Sequence, residues 1–317
     1  MYKGISVCMA TYNGERFIKQ QLDCIYNQTL QPDEVIICDD ASLDNTRNII
    51  KEYIEKHNLG GVWKLICNSK KKGYPQNFYY CMGLARGEFV FLADQDDIWE
   101  ADKIRKMALA MSCETNIKIL ACKMGLVNAE GGKIRTFIKP NFSKETGKID
   151  RIPLDKVLYK NQWSGMILAY RNEWYNENRE KVQNTRLPHD LAITILAGAE
   201  GKMFQIDNTL AWHRRHENNV AREEHRIEKM LNKKNKLADI NKYKNYLKII
   251  LDRKMLENEK DEYILRKKYH QVVMREELLS RGRCLFIIIN YMKNQKDIRF
   301  FTVLCDLLIC MKDYLRK

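Results

Sequence analysis

The stretch SVCMATYNGERFIKQQLDCIYNQTLQPDEVIICDDASLDNT, residues 6–46, decides the fold. With Ile5 before it, it opens on a near-continuous apolar run to Ala10, interrupted only by Ser6, that ends in the polar turn Thr11-Tyr12-Asn13. Residues 15–27 then carry Ile18, Leu22, Ile25 and Tyr26 at helical spacing. A second apolar run, Val35–Cys38, closes on Asp39-Asp40. Ser42 or Asp44 is placed to cap the next helix, which sets Ile49, Ile50, Tyr53 and Ile54 on one side. Runs that are continuously apolar, rather than alternating, predict parallel strands covered on both faces.

Outward from there the alternation continues. Residues 62–67 predict a third strand, and a Gly73-Tyr74-Pro75 turn leads to a helix with Phe78, Cys81, Met82 and Ala85. Residues 88–93 predict a fourth strand, followed by a helix near 101–112. The expected class is α/β: a Rossmann-like, mostly parallel sheet with helices on both faces. Such sheets bind ligands outside the carboxyl ends of their strands. Thr11-Tyr12-Asn13, Asp39-Asp40 and Asp94-Gln95-Asp96-Asp97 all fall at such ends, so they are expected to converge on one site.

Beyond residue 113 the pattern loosens. Strands are expected at 117–127, 134–139, 163–170 and 203–207, with a helix around 189–200. From 221 to 283 the chain reads as helical and charged, with Ile227, Met230, Leu231, Leu237, Ile240, Tyr243, Leu247 and Ile250 at three- and four-residue steps. Residues 284–317 are more apolar and are interrupted by Lys and Arg. Two domains are expected, 1–220 and a helical C-terminal extension, 221–317.

Of 317 residues 45% are apolar, and with only 5 prolines and no low-complexity linker the chain reads as folded. Ten cysteines with no C-x-x-C pair read as buried, reduced thiols rather than a zinc site or disulfide framework. No signal-peptide pattern and no run of about 18 apolar residues is present, which predicts a cytoplasmic protein without a transmembrane helix. The net charge is +14. Residues 221–317 hold 24 Lys+Arg against 14 Asp+Glu, and residues 1–220 hold 31 against 27. The basic excess therefore lies in the last third. It suits an anionic membrane surface, peripheral on the inner face of the cell membrane, or a solvated helical domain that makes a homo-oligomer. Nucleic acid is not expected, because acids interleave the basic residues and no recognition module is present.

The chemistry is concentrated in FLADQDDIW, residues 91–99. Carboxylates this close repel one another and resist burial. Two acids spaced D-x-D at a strand end can face one point, where Mg²⁺ or Mn²⁺ relieves the repulsion. The other reading is a helix cap by Asp96 or Asp97 beside solvated loop acids. G-x-G-x-x-G and the P-loop pattern are absent, so a nucleotide diphosphate would be held by metal and basic side chains.

Residues 6–46 resemble the N-terminal signature of family 2 glycosyltransferases with the GT-A fold. FLADQDDIW resembles that family's D-x-D region in the form common among bacterial rhamnosyltransferase-like members. HDLAITILAGAEGK (189–202) and HRRHENNV (213–220) resemble its catalytic helix and its Y-R-x-H-x-x-N segment. Four motifs in order, over roughly residues 3–220, make the likeness specific. It implies an inverting, metal-dependent transferase using a nucleotide-diphosphate sugar, dTDP-rhamnose or UDP-hexose, on a glycan or lipid-linked acceptor in surface polysaccharide synthesis. It implies that Thr11 and Asp40 contact the base, with Tyr12, Asn13 and Glu15 on the same edge. It implies Asp94 near the ribose or metal, Asp96 as principal ligand of Mn²⁺ or Mg²⁺, Asp190 as catalytic base, His216 toward metal or diphosphate, and Arg214 as a phosphate contact. Two positions depart from the pattern: His213 and Arg215 stand for the usual Tyr and Gln, and Leu191-Ala192 replace the usual aromatic after the base. A nucleotidyltransferase would need a glycine-rich loop that Ala10-Thr11-Tyr12-Asn13 does not supply, and the remaining alternative is a non-catalytic sugar-nucleotide-binding scaffold.

Overall fold

A computed structural model describes residues 3–134, 145–160, 163–216, 231–293 and 300–314. The chain divides into two compact units, Met1–Pro153 with Asn161–His216, and Leu154–Lys160 with Glu217–Lys317.

The first unit is built on β1 (Ile5–Thr11), β2 (Glu34–Asp39), β3 (Trp63–Cys67) and β4 (Phe89–Ala93). All four run parallel. β1 lies between β2 and β4, with Cys8 opposite Ile36 on one side and Leu92 on the other, and β3 flanks β2. Ile5, Val7, Cys8 and Met9 expose no surface. Neighbouring residues of a strand point to opposite faces, so equal burial of Val7 and Cys8 requires cover on both. α1 (Ile18–Tyr26), α2 (Thr46–Lys56), α3 (Gln76–Met82) and α4 (Lys103–Cys113) follow the four strands in turn. α1 buries Ile18, Leu22 and Ile25, one stripe at i, i+4 and i+7. Full burial of each such side chain contributes about 1.5–3 kcal/mol.

Five further strands are β5 (Ile98–Trp99), β6 (Ile119–Val127), β7 (Ile149–Arg151), β8 (Leu168–Arg171) and β9 (Met203–Arg214). Among the described residues the sheet order is β3-β2-β1-β4-β8-β6-β9-β5, with β7 also on β9. β8 is antiparallel to both β4 and β6, whereas β6 and β9 pair in parallel. The winding reverses between β1 and β4, because β1 to β3 step outward one way and β4 returns on the other side of β1. The crevice at that switch opens at the carboxyl ends of β1 and β4.

Several elements differ from the sequence expectation. The strand expected at 163–170 begins only at Leu168, after a 3-10 turn at Gly165–Ile167. The strand expected at 203–207 runs on to Arg214, because β6, β5 and β7 all pair with it. α5 (Leu154–Lys160) and α6 (Asn172–Gln183) were not expected. α6 buries only Asn172, Trp174, Tyr175 and Val182, a stripe too thin to read as periodic. α7 (His189–Ala199) matches its expected helix. Residues 135–144, which hold most of the expected strand 134–139, lie outside the described residues, as do 217–230 with Ile227 and Met230. All ten cysteines are free, and Cys8, Cys38, Cys81, Cys122, Cys305 and Cys310 are buried.

In the second unit α8 (Lys233–Asp252) packs on α9 (Glu259–Ser280), burying Ile240, Leu247 and Ile250 from the former and Leu265, Val272 and Leu279 from the latter. Asn232 and Asn258 cap the two helices by accepting backbone N–H bonds from Asn235 and Lys260. Tyr243 donates to the Leu158 carbonyl of α5 at 2.7 Å. α10 (Cys284–Lys293) and α11 (Phe300–Tyr314) complete the unit. Among the described residues no helix is long and apolar enough to cross a membrane.

Candidate active site

The end of β1 is zipped to the loop after β2. Asp39 has no exposed surface, and its carboxylate accepts from Thr11 Oγ1, Ser42 Oγ and Arg47 Nε. Asn13 is in the left-handed region at φ 48°, which Asn tolerates. Its N–H donates to Ser42 Oγ and its side-chain oxygen accepts from the Leu43 N–H, each at 2.9 Å. Glu15 Oε2 accepts from the Asn45 N–H at 2.8 Å. Asp40 holds the next wall. It accepts from Asn68 Nδ2 at 3.0 Å and from the N–H groups of Lys72 and Gly73 at 2.6 and 2.7 Å. That fixes the Lys72–Gly73–Tyr74 turn. The Lys71 ammonium stands 3.4 Å from the centre of the Tyr12 ring, a cation–π contact.

The Asp94–Asp97 loop at the end of β4 faces this wall. Gln95 ties the two together: its Oε1 accepts the Tyr12 N–H at 2.9 Å and its Nε2 donates to the Tyr12 carbonyl at 3.0 Å. The three acids then divide. Asp96 Oδ2 lies 2.7 Å from His216 Nε2. Asp97 is buried; its Oδ1 meets His213 Nδ1 at 2.9 Å and the Arg214 N–H at 3.0 Å, while its Oδ2 has no hydrogen-bond partner. Asp94 has its pKa pushed well above the ordinary carboxylate range by burial and by the charges of Asp97 and Asp96, with Asp190 adding to the push. Burial pulls the His213 imidazolium down, but the Asp97 hydrogen bond and the three acids outweigh it, and its pKa rises.

Arg214 is 1% exposed. Its Nε donates to the Asp96 carbonyl at 2.8 Å, its Nη1 to the Ala129 carbonyl at 2.6 Å, and its Nη2 to Gln20 Oε1. The guanidinium that the resemblance assigns to phosphate is therefore bound into the backbone of the acidic loop. Beneath that loop lies Lys103, with no exposed surface. Its Nζ donates to the Met166 carbonyl and sits 3.3 Å from the Trp99 ring centre. Burial lowers its pKa to about 7, against the pull of Asp97 and Asp94.

Asp190 is the second residue of α7, directly behind Pro188. An acid in the first turn suits the positive end of a helix. Its Oδ1 accepts the Leu191 N–H at 2.8 Å and lies 3.5 Å from the Tyr74 hydroxyl. Its neighbour His189 is buried and stacked on Phe78, ring centres 4.0 Å apart. Gly165 makes room for it, since a Cβ there would stand 2.7 Å from His189 Nε2. The aromatic missing after Asp190 in the sequence has a spatial substitute: Tyr74, half-exposed, reaches the same carboxylate from the turn that Asp40 holds.

Thr11, Tyr12, Asn13, Glu15 and Asp40 thus form one wall, and Asp94, Asp96, His216 and Arg214 form the other, with the charge of Asp190 felt at Asp94. Gln95, Asp97, Lys103 and Tyr74 were not singled out as site residues from sequence. Asp97 was legible only as one of three acids, and nothing in the linear order tells which acid faces outward. One carboxylate oxygen and one imidazole nitrogen, Asp96 and His216, suit Mn²⁺. Among the described residues no group of three His, Cys, Asp or Glu has ligating geometry.

The family model described as "Glycosyl transferase family 2" matches residues 6–165. The uncharacterized protein Rv1520 of Mycobacterium tuberculosis is 24% identical over 218 residues, 68% of this chain and 60% of that protein. The chain therefore spans less than two thirds of the length of that relative. The Escherichia coli UDP-Glc:alpha-D-GlcNAc-diphosphoundecaprenol beta-1,3-glucosyltransferase WfgD is 31% identical over 124 residues, 39% of this chain and 47% of that protein. The Shigella flexneri dTDP-rhamnosyl transferase RfbG is 37% identical over 101 residues, 31% of this chain and 34% of that protein. Among solved structures, Staphylococcus aureus TarS 1–349 in complex with UDP-GlcNAc superposes with a TM-score of 0.53 at 17% identity, covering 99% of this chain and 92% of that one. The mannosyltransferase PcManGT from Pyrobaculum calidifontis in complex with GDP-Man and Mn²⁺ gives 0.52 at 16% identity, covering 100% of this chain and 88% of that one. These neighbours share the GT-A fold.

Proposed function

The chain belongs to glycosyl transferase family 2, and from that membership we propose that it moves a sugar from a nucleoside-diphosphate donor to a hydroxyl of a glycan or lipid-linked acceptor, with inversion, in surface polysaccharide synthesis. The observation that supports the proposal is that Asp190, at the head of α7, acts by its charge on Asp94 of the loop in which Asp96 is paired with His216. The Asp96–His216 pair suits a diphosphate and Asp190 a hydroxyl.

The donor's base rests on the wall of Thr11, Tyr12, Asn13, Glu15 and Asp40. Asp96 and His216 would hold Mn²⁺ or Mg²⁺, which when bound neutralises charge building on the departing diphosphate. Asp94 meets the ribose or the metal. Arg214 serves the phosphates through the loop it clamps. The protonated form of His213, favoured by its pairing with Asp97, adds positive charge beside the diphosphate. Asp190 accepts the proton of the acceptor hydroxyl as that oxygen attacks the anomeric carbon opposite the leaving group. A single displacement needs no second carboxylate as a covalent nucleophile. Tyr74 offers the acceptor sugar an aromatic face beside the base. Similarity to enzymes named for dTDP-rhamnosyl and UDP-glucosyl transfer supports dTDP-rhamnose or UDP-hexose as donor.

The test is release of nucleoside diphosphate from a panel of dTDP- and UDP-sugars, with glycan and lipid-linked acceptors and with and without Mn²⁺. One donor should turn over. Asp190→Asn should lower kcat by about 10²–10⁴-fold, the usual share of a general base, with donor affinity unchanged. Donor binding without turnover with every acceptor would make the chain a sugar-nucleotide-binding scaffold instead.

A further inference from the structure

Helices α10 and α11 of the second unit carry apolar side chains that stand exposed among the described residues. On α10, Leu285, Phe286, Ile288, Ile289 and Met292 are all exposed, and Ile287 and Asn290 are the side turned inward. On α11, Leu304, Leu308 and Met311 are exposed at steps of four and three residues, one stripe along the helix. Buried Val303, Cys305, Ile309 and Cys310 fill the opposite side. Exposed apolar surface this continuous marks a contact surface.

The charges around it select the partner. Residues 278–317 hold eight Lys and Arg and three acids, Asp297, Asp306 and Asp313. Arg281 and Arg283 stand exposed at the start of α10, with Arg283 over the Phe286 ring, and Lys312 is exposed on α11 beside Met311. Of the two acids of α11, Asp306 and Asp313, the first is withdrawn: its carboxylate is buried and bound by Arg275 of α9 at 2.7 and 3.0 Å. A second copy docked face to face would bring like charges together at the rim. An anionic bilayer satisfies both features, since it accepts apolar side chains below its headgroups and attracts Lys and Arg at their level.

We propose that α10 and α11 form a monotopic docking surface for anionic lipid. The helices lie in the interface, with Leu285, Phe286, Ile288, Ile289 and Met292 immersed and Arg283 and Lys312 at the phosphates. The surface does not depend on the donor chemistry proposed above.

The test is flotation of the full chain with vesicles of phosphatidylcholine alone, or with about 30 mol% phosphatidylglycerol, near physiological salt of about 0.15 M. Binding is expected on the anionic vesicles and at least about tenfold weaker on the neutral ones. Arg283→Gln with Lys312→Gln should weaken it about 25-fold, near fivefold for each charge. Leu285→Ser with Met292→Ser should weaken it by about tenfold or more while helicity and nucleotide binding stay as in wild type. No flotation, or equal binding to both vesicles, would overturn the proposal. So would a dimer in sedimentation velocity that the Leu285→Ser, Met292→Ser pair dissociates, which would assign the face to a second copy.

Discussion

Replacing Arg214 by Lys keeps the positive charge and removes the fork. In the structure the fork reaches the carbonyls of Asp96, Ala129 and, more distantly, Asn128, and Gln20 Oε1. A lysine ammonium can follow one of those directions. The other part-buried acceptors then lose their donors, at about 0.5–1.5 kcal/mol each for two of them, so the variant should be less stable by roughly 1–3 kcal/mol. For a unit of this size 1 kcal/mol shifts Tm by about 2–4 °C, and Tm should fall by roughly 2–12 °C. Thermal unfolding by circular dichroism measures it, with nucleotide titration alongside. Nucleotide affinity should fall too, because the Asp96 backbone is no longer held. A Tm within about 1 °C of wild type, together with lost nucleotide affinity, would refute the clamp and make Arg214 a direct phosphate contact.

Two further variants probe the same loop. Gln95→Ala removes both bonds that join the acidic loop to Tyr12, and should cost about 1–2 kcal/mol of stability and about tenfold in nucleotide affinity, measured by chemical denaturation and titration. Lys103→Met tests the buried ammonium. The folded chain holds its pKa at about 7, whereas the unfolded chain keeps it near 10.4. Between those values the unfolded state binds more protons, so wild-type stability rises with pH there, by at most about 4–5 kcal/mol. Relative to wild type, the variant's stability should therefore fall as pH rises from 7 to about 10; parallel curves in urea unfolding would contradict this.

The first half of the unit was readable because its strands are continuous apolar runs ended by polar turns. Burial on both faces writes that pattern directly into β1, β2 and β4. The likeness to a family then singled out Asp96, Asp190 and His216 without geometry. What sequence did not carry was the assignment of roles within a cluster. Asp96 and Asp97 are adjacent and chemically identical, yet one faces His216 and the other is buried against His213 and the Arg214 N–H. That division is set by the register of β9 against β5 and β6, a long-range pairing with no local signal. Tyr74 was read as part of a turn, and the bonds from Lys72 and Gly73 to Asp40, with its edge-on packing against His189, bring it to Asp190. Among helices, α6 escaped notice because its buried residues are two aromatics, an Asn and a Val rather than an aliphatic stripe.

The most direct measurement is calorimetric titration of the wild-type chain and Asp96→Ala with UDP and dTDP compounds, with and without Mn²⁺. Metal-dependent binding of one nucleotide, lost in Asp96→Ala, is the predicted result. No nucleotide binding by wild type under any metal condition, or binding that Asp96→Ala leaves untouched, would contradict a donor site built on the loop at the end of β4.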